Sequence, residues 1–204
     1  MDVPVAQRIR FFAAGAAAVL LSGCGQYLGD YAVEGVRIVP ELPLPFGREI
    51  TPYGQYLQVN ISSTTSLTAI SDKVDGVYVH ADFCPLRDSH RLIAFRPVGL
   101  GGEDLGLPSS APQQRSDPDG RYHYRIFVVV AHPMPGVEYS TTAMERPRYD
   151  IRTAKRDLCL RLFAPGYNLI PSRSQTIRVS ATAISAAVRS NAAQQRRAPE
   201  GAGR

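Results

Sequence analysis

No apolar run in this 204-residue chain reaches the about 20 residues that an ordinary spanning helix needs. The longest, Phe11 to Leu21, is about half that length. Charge of one sign is scarce too: 23 Lys and Arg stand against 18 Asp and Glu. Much of the small excess sits at the carboxyl terminus, where Arg189, Arg196, Arg197 and Arg204 face only Glu200. A nucleic-acid reader carries a basic stripe interleaved with aromatics, or a recognisable motif. Neither is present, and nucleic acid is not an expected partner. Enzyme signatures are missing as well: no nucleophile elbow, no phosphate-cradling glycine loop after a strand, no helix with paired histidines for zinc. Absence of these motifs does not exclude catalysis; a non-catalytic function without a cofactor is the favoured expectation. Cysteine occurs only three times. What is there is ordinary globular material, 44% apolar and 20% charged, which excludes disorder throughout. Less its ends, the chain keeps about 150 residues for packing, enough for one domain with one core.

The amino terminus carries its own chemistry. Arg8 and Arg10 precede the uncharged run Phe11 to Leu21, the charged and apolar regions of a secretory signal. Leu21-Ser22-Gly23-Cys24 follows directly. This tetrapeptide resembles the lipobox of bacterial lipoproteins at all four positions. The resemblance implies a diacylglyceryl thioether on Cys24 and cleavage after Gly23. Two or three acyl chains, at about 0.8 kcal/mol per buried methylene, anchor stably where one would not. Gly25, rather than Asp, follows the cysteine; by the same resemblance the expected address is the outer membrane, on its periplasmic side. Loss of Arg8, Arg10 and Asp2 with the signal leaves 21 basic against 17 acidic residues, an excess of 4.

Lipidation of Cys24 leaves Cys84 and Cys159, a pair in a chain bound for an oxidising compartment. Alternation puts Val77, Val79, Ala81 and Phe83 on one strand face and Cys84 on the other, with His80 and Asp82. Leu158, Leu160 and Leu162 likewise oppose Cys159 and Arg161. Two buried free thiols are the alternative, but core thiols belong on the apolar faces. The spacing predicts a disulfide that closes a loop of about 75 residues and stabilises the fold by roughly 4 kcal/mol.

Further strands are predicted at Tyr31 to Val39, Gln55 to Ile61, Arg91 to Val98 and Tyr122 to Ala131. In the last of these, Tyr122, Tyr124, Ile126, Val128 and Val130 point one way, while Phe127 and Val129 make the second half apolar on both faces; this marks a central strand. Ser62 to Ser71 reads as a loop or weak edge strand. The carboxyl-terminal strand is expected to run from Ile177 through Val179 and Ala181 to Ala183. With proline- and glycine-rich connections and no clear helical stripe, the pattern predicts an all-β fold, an antiparallel β-sandwich of about seven to eight strands, with a small barrel as the alternative. The expected organisation is a signal over 1–23, a lipidated tether over 24–30, one sandwich over 31–188 and a disordered tail over 189–204.

One constellation carries candidate chemistry. His80 and Asp82 share a strand face, and Asp88 and His90 lie just beyond; together they have the donors for a divalent metal or for acid–base work. The competing reading is a polar outer face and a solvated turn. His123 and His132, at opposite ends of the central strand, show no nearby partner in the sequence. The favoured function is a docking or structural component of a cell-envelope assembly, held to the membrane through Cys24 and engaging protein partners there. The alternative is a metal-binding protein or hydrolase built on the His80 to His90 cluster.

Overall fold

The computed structural model describes residues 27–42, 54–71, 76–87, 92–100, 115–133, 147–165 and 172–197. The lipobox with Cys24, and Asp88 and His90, lie outside them. In chain order the elements are β1 (Ala32–Val39), β2 (Tyr56–Ser63), α1 (Leu67–Ser71), β3 (Tyr78–Phe83), β4 (Val98–Gly99), β5 (Tyr122–Val129), β6 (Ala131–His132), β7 (Tyr149–Asp150), α2 (Ile151–Ala154), β8 (Leu158–Ala164), β9 (Ser172–Arg173), β10 (Ile177–Val179) and α3 (Ala181–Arg197). Among the described residues no helix is long and apolar enough to cross a membrane.

Strand alternation builds two larger antiparallel sheets that face one another across a core, and β6 pairs with β7 in a short third sheet. Sheet I has the order β1-β2-β5-β4, and sheet II the order β10-β8-β3 with β9 paired to β8. Leu57, Val59 and Ile61 of β2 and Tyr124, Ile126 and Val128 of β5 meet Val79 and Ala81 of β3, Leu158, Leu160 and Leu162 of β8, and Ile177 and Val179 of β10 in one buried core. Each fully buried Leu, Ile or Val there contributes about 1.5–3 kcal/mol of transfer free energy. Among the described residues neither sheet closes on itself, and the fold is an open sandwich rather than a closed barrel. β5 lies between β2 and β4, as its two apolar faces predict: Phe127 and Val129 turn outward into a second cluster with Tyr56, Ile93 and Val98.

Several local expectations are corrected. The strand predicted over Arg91 to Val98 is reduced to a bridge between Ala94 and Val128 and the two residues of β4. Pro97 sits between these pieces and has no N–H to give the ladder. The segment after Ser62 is neither a loop throughout nor an edge strand. It ends in α1, whose Leu67 and Ile70 enter the core and whose Leu67 N–H donates to the Tyr124 hydroxyl at 2.9 Å. That hydroxyl donates in turn to the Thr65 carbonyl at 2.8 Å.

The carboxyl-terminal strand stops at Val179, and α3 begins at Ala181. Ser180 caps it, its side chain accepting the Ala183 N–H at 3.2 Å. Ile184, Ala187 and Val188 then pack on the core at helical spacing. The tail expected to be disordered from residue 189 is thus helical through Arg197, although among the described residues none beyond Val188 is fully buried. Residues 198–204 lie outside the described residues.

Within the tether expected over 24–30, residues 27–30 belong to the folded domain. Tyr27 bridges to Arg173, the Leu28 N–H donates to the Arg173 carbonyl at 3.0 Å, and the Leu28 side chain is fully buried. Gly29 follows at φ 95°, with the Thr65 hydroxyl 2.1 Å from where a Cβ would stand, so only glycine fits this entry.

Candidate functional site

The predicted disulfide is present. Cys84 and Cys159, 75 positions apart in sequence, are bonded with their Cα atoms 5.1 Å apart. The bond joins the end of β3 to β8 on the outer face of sheet II, where Asp82 pairs with Cys159 and His80 with Arg161. Arg156 guards the same corner, donating to the Cys84 carbonyl at 3.0 Å with its guanidinium 5.1 Å from the Phe83 ring centre.

His80 and Asp82 do share the outer face of β3. Asp82 is nonetheless 2% exposed, and its Oδ1 accepts the N–H of the next residue, Phe83, at 2.7 Å. Since Asp88 and His90 lie outside the described residues, the structure brings together only these two members of the predicted quartet.

A different cluster forms where β1, β2 and β5 end side by side. The segment Asp117-Pro118-Asp119-Gly120 is a tight turn into β5: the Gly120 N–H donates to the Asp117 carbonyl and the Asp117 N–H to the Arg121 carbonyl, both at 2.8 Å. Proline at its second position and Gly120 at φ 76° suit that geometry. Asp119 Oδ1 accepts the Arg121 N–H at 3.1 Å. Two residues further on, His123 projects from the outer face of β5 opposite Ser62 of β2.

A β-bulge brings the third strand into the cluster. The register of β1 against β2 shifts between Val33 and Gly35, so Glu34 is an extra residue with no partner of its own. A bulge re-aims a side chain, and here Glu34 reaches across Ser62 to His123 Nδ1 at 2.9 Å. His123 Nε2 lies 2.8 Å from Asp117 Oδ2. The imidazole is thus held between two carboxylates from separate parts of the chain.

These contacts set the electrostatics. The hydrogen bond that His123 donates to Glu34 raises the His123 pKa above its ordinary value, against burial, with Asp117 adding to the rise. Burial alone would push the Glu34 carboxyl up. Its hydrogen bonds with Ser62 and His123, and the charge of Arg121, outweigh that and hold it below the ordinary value. Arg121 Nε and Nη2 donate to Ser62 Oγ at 3.0 and 2.6 Å. Ser62, 1% exposed and committed to Arg121 and Glu34, is a structural hydroxyl rather than an accessible nucleophile.

No local signal in the sequence pairs His123, because Glu34 is 89 residues away and Asp117 meets it only once the turn has formed. The turn Asp117-Pro118-Asp119-Gly120 and the position of His123 were legible; the bulge that delivers Glu34 was not. Comparison with protein-family models, curated proteins and solved structures returned no match.

Proposed function

We propose that this chain is an exported lipoprotein, anchored through Cys24 to the outer membrane, whose β-sandwich serves as a docking or structural component of a cell-envelope assembly. What supports the reading is the tetrapeptide Leu21-Ser22-Gly23-Cys24, which ends four residues in sequence before the buried Leu28. Leu28 is already in the core, and four residues span at most about 14 Å. Acyl chains on Cys24 would therefore hold the Tyr27–Arg173 corner of the sandwich against the headgroup layer. A bonded cysteine pair suits the oxidising compartment that such an address implies.

Fractionation of cells expressing Cys24→Ser tests the reading. Release of the sandwich from washed membranes is expected. Retention of the variant on membranes in high salt, without accumulation of precursor, overturns it. Cross-linking in intact envelopes then identifies the protein partner.

A further inference from the structure

We propose that Asp117, Asp119 and His123 bind a divalent first-row transition ion, with Glu34 orienting the imidazole. One ligand atom from each of the three residues lies within 4.8 Å of the others. Donors bound to a common ion at about 2.0–2.2 Å stand about 3–4 Å apart, so the side chains need only small rotations to converge. Asp117 and Asp119 are exposed and have that freedom; His123 is anchored in β5.

The decisive feature is contributed from outside the acidic turn. A metal-binding histidine characteristically donates its second ring N–H to a carboxylate, which fixes the tautomer and raises the basicity of the ligating nitrogen. Glu34 occupies that position on Nδ1, delivered by a bulge in another strand, and the opposite nitrogen faces Asp117. Local charge points the same way. Three carboxylates, Glu34, Asp117 and Asp119, gather around His123, and the Arg121 guanidinium, whose charge acts on Glu34, is directed at the oxygens of Ser62. A divalent cation relieves the repulsion among the carboxylates. One imidazole with two carboxylates suits Zn2+ or Mn2+, whereas Ca2+ and Mg2+ favour all-oxygen sets.

The test is calorimetric titration of the full-length, untagged chain in detergent with ZnCl2 and MnCl2. A saturable site of one equivalent is expected for at least one of the two ions. Asp119→Asn should weaken it at least tenfold, His123→Gln should remove it, and Glu34→Gln should weaken it by about 10-fold. Melts of the metal-free variants establish that each is folded; should His123→Gln fail to fold, Asp119→Asn decides alone. The proposal is overturned by absence of a saturable site for both ions, or by binding that survives Asp119→Asn or folded His123→Gln undiminished.

Discussion

Glu34 and His123, 89 residues apart in sequence, meet at 2.9 Å because one extra residue in β1 turns a carboxylate onto the outer face of sheet I. Without the bulge, strict alternation along β1 would run uninterrupted from Ala32 to Val39. The contact therefore depends on an irregularity, in a strand whose partner β2 keeps an unbroken register with β5. The core beneath is regular, and the polar cluster is built where regularity stops.

Leu160 faces the core from the middle of β8, and Arg161 faces outward beside it. Leu160→Ala should cost about 2–5 kcal/mol, and Arg161→Ala within about 0.5 kcal/mol. Urea titration of both variants checks the register, and equal losses would show that the two faces of β8 are misassigned.

The Cys84–Cys159 bond constrains the unfolded chain through a 75-residue separation. Reduction should lower stability by about 4 kcal/mol on the chain-entropy model. Alkylation under denaturing, non-reducing conditions followed by mass spectrometry should recover neither thiol; recovery of both would refute the bond.

Regular alternation made the sandwich legible. Leu57, Val59 and Ile61, and Leu158, Leu160 and Leu162, repeat every second residue, and the cysteines fall opposite such rows. The misreadings arose where that signal was weak or shared. Ala181 and Ala183 fit a strand face as readily as a helix, and the capping Ser180 with Ile184, Ala187 and Val188 at helical spacing decided for α3. Tyr27 and Leu28 looked like tether because two residues before a glycine show no periodicity, yet Leu28 has a core position waiting for it. The Glu34 bulge left no local mark, since its consequence appears only against Asn60, Ser62 and His123 of neighbouring strands.

Asp157 links the start of β8 to α3, its Oδ1 accepting the Ala181 N–H at 2.8 Å and its Oδ2 meeting the Arg178 guanidinium. The Ala181 N–H, then Arg178, hold its pKa below the ordinary aspartate value. A depressed folded-state pKa means stabilisation that is complete above the unfolded value, about 3.9, and is lost as pH falls through the folded one. Acid melts should show Asp157→Asn less stable than the parent at neutral pH, with the gap closing below about pH 4. A gap that stays constant to pH 2 would contradict the assignment.

Truncation after Val188 should leave the melting curve nearly unchanged, because no residue of α3 beyond Val188 is fully buried and only Asn191 and Ala192 are half-buried. Ile184→Ala, by contrast, should cost about 2–5 kcal/mol, since Ile184 sits in the core. A marked loss of stability on truncation would show that the final turns of α3 pack on the sandwich.

The proposed membrane anchoring of the sandwich depends on the chemistry of Cys24. The direct measurement is mass spectrometry of the amino-terminal peptide of the protein isolated from its own envelope. The predicted result is a mature chain that begins at Cys24 and carries a diacylglyceryl group on sulfur. A mature amino terminus at any other residue, or Cys24 recovered with a free thiol, would contradict the account.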